Sequence, residues 1–344
     1  MYTKLRYECP LYAQKWLIRA SKQQERNLHH MNYIVLDLEW NQCPTGKSGE
    51  IRRLPFEIIE IGAVKLDENL QYVDSFREIV QPVVYRTLHF KTQEIVALRQ
   101  IDLQKARNFP EVISDFLGWC GDDPSFCTWG PSDLMELQRN LAYHQLPIPF
   151  PFPFLYYDIQ KIFSIVYEDR RTRRSLEFAV DFLKIPKDVA FHSALSDAHY
   201  TSEIMQHLTP TQIEQNSSVD YFHTPDNRRS EIHLRYATYT KYISKPFVSK
   251  VQAMKDRIVV SMPCCTCGKN AAKEIRWFAS GSRNYLCLAK CADHGWLKGK
   301  IRLRQREDEK YYAVKTLRFV NEEEVVKISE RKKAQQSKAH HPSA

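Results

Sequence analysis

The sequence predicts an α/β protein in two parts: a mixed sheet flanked by helices, then a small β-rich domain. Three observations carry this reading. Hairpin-length strand patterns precede a series of helical ones, two matched cysteine/histidine knuckles lie near the end, and charge is divided unevenly along the chain. At 344 residues there is material for two domains.

Residues 1–30 carry six basic and two acidic side chains and end just before Met31. They are expected to be a non-native or disordered leader, the alternative being a basic nucleic-acid arm. From Met31, runs rich in Val and Ile at Tyr33 to Trp40 and Ile58 to Leu66, then Tyr72 to Val80 and Phe126 to Trp129, read as strands. Helical periodicity follows at Pro110 to Cys120, Pro131 to His144, Asp158 to Val166, Ser175 to Leu183 and Ser193 to Leu208. These elements define a domain over 31–208, followed by a linker over 209–255, a β-rich domain over 256–326 and a charged tail over 327–344.

Several classes are excluded. Gly46-Lys47-Ser48 is no phosphate loop, because Asn41 stands where the first glycine belongs. The longest run without charge, Asn140 to Tyr157, contains Pro147, Pro149, Pro151 and Pro153 and cannot form a membrane helix. Nine cysteines without an apolar leader fit a reducing compartment, so a cytoplasmic location is expected, with thiols serving metals rather than disulfides. The net charge of +9 invites a polyanion, yet it is not uniform: residues 31–208 are net −7 and residues 209–344 net +12.

Within the acidic region, Asp37 and Glu39 lie two apart in an apolar strand, so both carboxylates share one face while Leu36, Leu38 and Trp40 take the other. Like charges on a buried strand call for a divalent cation; a solvated edge strand is the alternative. In Trp129-Gly130-Pro131-Ser132-Asp133, glycine permits a tight strand-to-helix turn, proline suits the first helical position, and Asp133 falls in the first turn. In His192-Ser193-Ala194-Leu195-Ser196-Asp197, Ser193 can cap a helix that carries Asp197, with His192 just outside. Alone, Asp133 reads equally as a helix-start acid and His192 as a surface histidine.

In order and spacing these three motifs resemble the DEDDh 3′-to-5′ exonuclease superfamily, which is DnaQ-like and ribonuclease H-like. The run Leu54-Pro55-Phe56-Glu57-Ile58-Ile59-Glu60-Ile61-Gly62-Ala63-Val64, with Phe109-Pro110-Glu111-Val112 and Thr128-Trp129-Gly130, is most similar to the KapD-like branch. The resemblance implies a ribonuclease H-like sheet and two catalytic Mg²⁺ or Mn²⁺ ions held by Asp37, Glu39, Asp133 and Asp197, with Asp37 bridging. It also implies that His192 is the general base for phosphodiester hydrolysis. Arg99-Gln100-Ile101 stands where relatives often have Thr-Gly-Ile, and Ser175 where a glycine is common, which leaves 3′-end binding open.

Two accessory features lie nearby. Arg170, Arg171, Arg173 and Arg174 could neutralise substrate phosphates or simply form a solvated loop. Phe150, Phe152 and Phe154, alternating with prolines, could stack on bases, but a loop packed over the domain is the preferred reading.

Toward the end, Cys264-x2-Cys267-Gly268 and Cys291-x2-His294-Gly295 are half-sites for one structural Zn²⁺, with Cys287 as an alternative fourth ligand. Lys298, Lys300, Arg302, Arg304 and Arg306 alternate along an expected strand and so share one face, suited to phosphates. The chain therefore reads as a metal-dependent 3′-to-5′ exonuclease acting on RNA or single-stranded DNA with a free 3′ end, its zinc-ribbon-like domain helping to hold the strand. The alternatives are a nucleic-acid-binding regulator on a nuclease scaffold and a DNA proofreading or repair nuclease.

Overall fold

The computed structural model describes residues 32–340; the leader lies outside the described residues. The chain divides into two units between Phe222 and His223.

In the first unit, strands β1 (Tyr33–Gln42), β2 (Phe56–Leu66), β3 (Tyr72–Ile79), β4 (Ser125–Thr128), β5 (Leu155–Asp158) and β6 (Ser218–Val219) form one sheet in the order β3-β2-β1-β4-β5-β6. β1, β2 and β3 pair antiparallel, whereas β4 joins β1 and β5 joins β4 in parallel, so the sheet is mixed as expected. The helices are α1 (Phe90–Ile95), α2 (Gln100–Lys105), α3 (Phe109–Cys120), α4 (Ser132–Tyr143), α5 (Ile159–Tyr167), α6 (Leu176–Leu183), α7 (Ala194–Gln206) and α8 (Pro210–Glu214).

The two-residue period of β1 sorts the core. Ile34, Leu36 and Leu38 bury against Val112 and Phe116 of α3 and Leu134 and Leu137 of α4. Tyr33 and Val35 face Ile162 and Phe163 of α5, Val180 of α6 and Ile204 of α7. Asp37 and Glu39 continue this second face where its apolar run stops. Around the proline-rich stretch, Ile148, Phe150 and Phe154 pack on the core, with Phe150 and Phe154 stacked at 4.5 Å and both edge-on to Phe126; only Phe152 of these rings is exposed.

In the second unit β7 (Ile232–Arg235), β8 (Tyr239–Ile243), β9 (Ala272–Gly281), β10 (Asn284–Cys291), β11 (Gly295–Gln305) and β12 (Tyr311–Phe319) form a six-stranded sheet ordered β7-β8-β12-β11-β10-β9, antiparallel throughout. α9 (Lys250–Lys255) lies on one face, where Ala253 is buried with Ile301 and Leu303. α10 (Glu322–His340) covers the other, placing Ile328 on Phe278, Leu286 and Leu288.

Residues 209–255 are therefore not a linker. β6 closes the first sheet against β5, and β7, β8 and α9 belong to the second unit, held there by the burial of Ile232, Tyr242 and Ile243. The run Tyr239–Ile243, with its two tyrosines, threonine and isoleucine, carries that strand signal behind its lysine. The second unit is correspondingly larger than the expected zinc ribbon. Among the described residues, no helix is long and apolar enough to cross a membrane.

Candidate active site

Three elements of the first unit deliver the acidic groups. β1 supplies Asp37 and Glu39 near its end, where the pairing with β2 shifts register between Glu39 and Trp40. Gly130, at φ +101°, turns the chain from β4 into α4, a conformation that favours glycine. Pro131 is the residue before α4 rather than its first helical position, and Asp133 still falls in the first turn. α7 supplies Asp197.

Carboxylate oxygens of Asp37, Glu39 and Asp197 lie within 4.8 Å of one another. Asp133 is buried and close enough to act on the charge of Asp37, and the backbone N–H groups of Asp133 and Leu38 oppose the effect of its burial. Burial, followed by the charges of Asp133, Asp197, Glu39 and Glu60, pushes the Asp37 carboxyl well above the usual range. Burial and the same neighbours raise Glu39 to about 8; burial, opposed by those backbone bonds, raises Asp133 to about 7, and burial raises Asp197. Four carboxylates so placed resist simultaneous ionisation unless a cation neutralises them, so the donor set fits divalent metal.

His192 stands at φ +69°, in the left-handed region, and its N–H donates to Asp197 Oδ1 at 3.3 Å. This five-residue link places its exposed imidazole at the edge of the acidic cluster. Ser193 precedes α7 as expected but caps nothing: its hydroxyl donates to Glu60 Oε1 at 3.3 Å.

The residue that sequence reasoning missed is Glu60. It is fully buried on β2 opposite Glu39, accepts the Ala194 N–H at 3.2 Å, and pairs with Arg77 Nε at 2.6 Å. Its neighbour Gly62, opposite Asp37, makes the approach feasible. A Cβ there would lie 2.1 Å from the backbone of Ala194 and Leu195. Nothing local in the sequence sets it apart, because β2 also carries the buried Glu57.

A family model described as exonuclease (RNase T) matches residues 34–205, half of the chain. The chain belongs to this exonuclease family. The exonuclease domain is similar to part of the PolC-type DNA polymerase III of Thermotoga petrophila, 32% identical over 95 residues, covering 28% of this chain and 6% of the relative. Similarity to the Thermotoga maritima counterpart is 36% over 90 residues, covering 26% and 6%. The chain thus spans a small fraction of the length of these curated relatives. Among solved structures it is similar to the nuclease domain of 3′hExo, a DEDDh family member, bound to rAMP. That match has a TM-score of 0.48 and 22% identity, covering 56% of this chain and 98% of that one. It is also similar to an E. coli ExoI–ssDNA complex, with TM-score 0.45 and 11% identity over 75% and 54% of the two chains.

The remaining expected contact residues divide. Beside the exonuclease site's α4 turn, Arg174 is occupied structurally, paired with Glu168 at 2.8 Å and lying over the Phe178 ring, while its carbonyl accepts from Trp129 and Gln160. Arg170, Arg171 and Arg173 are exposed and make no ion pair among the described residues.

In the second unit, Cys264, Cys267, Cys291 and His294 gather within 4.8 Å. Cys267 Sγ lies 3.8 Å from Cys291 Sγ, which lies 3.6 Å from His294 Nδ1. Such separations match the ~3.8 Å edge of a tetrahedron built on Zn–S bonds of ~2.3 Å. Gly268 and Gly295 both take positive φ in the knuckles. Burial raises the Cys264 thiol, but N–H groups of Cys267 and Thr266 outweigh it and the net shift is downward; His294 lowers Cys291. Cys287 is outside the cluster, fully buried on β10, where burial pushes its thiol to about 12.

Along β11, Lys298, Lys300, Arg302 and Arg304 alternate with the buried Leu297, Ile301 and Leu303 and share the opposite face, whereas Arg306 falls past the end of the strand, in the turn that follows Gln305. Part of that charge is already matched. Lys298 pairs with Glu324 at 3.2 Å and Arg306 with Asp226 at 2.8 Å.

Proposed function

We propose that this chain is a metal-dependent 3′-to-5′ exonuclease that shortens RNA or single-stranded DNA. The observation that carries the reading is the convergence of Asp37, Glu39 and Asp197 within 4.8 Å, with buried Asp133 adding its charge to Asp37. Asp37, Glu39, Asp133 and Asp197 would hold two Mg²⁺ or Mn²⁺ ions. Such ions supply Lewis acidity toward an attacking water and the leaving 3′ oxygen. His192, set on the rim by its N–H bond to Asp197, accepts the proton of that water. Asp197, held by the His192 N–H, keeps a fixed place in the cluster.

In the second unit, Cys264, Cys267, Cys291 and His294 would hold one structural Zn²⁺, four protein ligands leaving no position for water. The polarity and substrate class are tested with single strands of RNA and DNA labelled at the 5′ or the 3′ end. A ladder shortening from the 3′ end supports the reading; internal cuts, or shortening from the 5′ end, overturn it.

A further inference from the structure

Where does the second unit meet a nucleic acid? The even-numbered cations from Lys298 to Arg306 were the sequence-based choice, and ion pairs occupy the first and the last of them. On the opposite face of the sheet lies a cavity of about 960 Å³ between the segment 254–271 and strands β9 and β10. Tyr285 and Lys273, which line it, sit across from Ile301 and Ala289, residues of the buried side.

Three cations, Arg257, Lys273 and Arg276, line this cavity, and among the described residues no acidic one does. None of the three makes an ion pair among the described residues, and all three are exposed. Two half-buried aromatic rings, Trp277 and Tyr285, share the wall with them.

The wall is built in advance. Trp277 Nε1 donates to the Val260 carbonyl at 2.9 Å, which fixes the plane of the indole. Gly299 supplies the room beneath: a Cβ there would meet Trp277 Cη2 at 2.6 Å. The facing segment is pinned by Lys315, whose buried ammonium donates to the Ile258 carbonyl at 2.6 Å and to Ser261 O and Oγ at 3.0 and 3.1 Å.

We infer that this cavity is a binding subsite for single-stranded nucleic acid, with phosphates on Arg257, Lys273 and Arg276 and bases against Trp277 and Tyr285. Rings that stack without reading base edges, beside cations that follow a backbone, are the means by which proteins hold single strands irrespective of sequence. The choice of nucleic acid as ligand rests on the nuclease reading; the charge and ring arrangement of the site does not.

The test uses the full chain carrying Asp37→Asn to stop turnover, with labelled oligouridylate and oligothymidylate followed by anisotropy over a salt series. Reversing charge at Lys273→Glu/Arg276→Glu is expected to weaken binding tenfold or more, as an order of magnitude, and to lower the log–log salt slope by roughly 0.7 per cation removed. Tyr285→Leu is expected to weaken binding about tenfold with the slope unchanged. Oligonucleotide should quench tryptophan emission in the parent and not in Trp277→Phe. Circular dichroism of each variant establishes that it is folded. Unchanged affinity and slope in the folded charge-reversed protein would overturn the proposal. So would saturation of the cavity by inorganic phosphate or a mononucleotide at concentrations where oligonucleotide produces no quench. Cleavage by the unsubstituted chain is read separately: retained binding without cleavage counts against the nuclease reading alone.

Discussion

Glu60 on β2 accepts the backbone N–H of Ala194 at 3.2 Å, so a carboxylate from the sheet takes the place of a helix cap at the start of α7. His192, two residues before this contact, and Asp197, three residues after it, are thereby set in their relative positions. Glu60 also receives the Ser193 hydroxyl and the Arg77 guanidinium, which compensates its burial. It is a positioning residue, acting through α7.

Glu60→Gln preserves shape but removes the charge that answers Arg77 and the helix N-terminus. Turnover is expected to fall about 10- to 100-fold, the range seen when outer-shell partners of metal ligands are lost, with KM little changed. A merely structural role would instead lower the melting temperature and leave turnover per folded molecule intact.

Gly62→Ala tests the same contact from the other side. The new Cβ would fall 2.1 Å from backbone atoms of Ala194 and Leu195, which cannot rotate away as a side chain tip could. α7 must therefore shift, at a cost of roughly 1–3 kcal/mol, and Asp197 leaves the cluster. Thermal unfolding and cleavage of the same preparation should both decline; a variant with full activity would contradict the geometry.

The carboxylate cluster gives the protein a pH signature. With Glu39 raised to about 8 and Asp133 to about 7, the metal-free fold retains protons that the unfolded chain releases near the ordinary carboxylate value of ~4. Through that window the native state binds more protons, so stability declines as pH rises from about 4 to about 8. Divalent cations displace those protons, and their stabilising effect should be largest near the top of the window. Mn²⁺ titration calorimetry in two buffers of different ionisation enthalpy measures the release directly. Buffer-independent heats would argue against it.

Zinc analysis separates the two readings of the second unit's cysteines. Cys291→Ser is expected to lose the roughly one equivalent of zinc per chain, whereas Cys287→Ser keeps it, because that thiol lies outside the cluster. Chelation should destabilise the second unit while leaving the exonuclease domain's transition in place.

The candidate site is legible in the sequence because its parts are local: a two-residue strand period for Asp37 and Glu39, a glycine turn before Asp133, a five-residue span from His192 to Asp197. Glu60 was illegible for the opposite reason. The partners that tie it to the site, Ser193 and Ala194, are more than a hundred residues away, and no local pattern distinguishes it from any glutamate in a strand. The strands β7 and β8 were hidden by Lys, Arg and Tyr on their outer positions, although Ile232 and Ile243 are buried. In β11 the alternation from Lys298 to Arg304 is legible in the sequence, but not the end of the strand before Arg306, nor the pairing of Lys298 with Glu324 and Arg306 with Asp226, which come from elsewhere in the unit.

The proposed role of Asp37 is as a carboxylate of a divalent-metal site that cuts from the 3′ end. It is tested most directly by comparing Asp37→Asn with the parent chain on a 5′-labelled single strand in Mn²⁺, with Mn²⁺ binding measured on both. The expected result is a loss of cleavage greater than about a hundredfold together with weakened Mn²⁺ binding in a folded protein. Cleavage at the parental rate by the folded variant would contradict it.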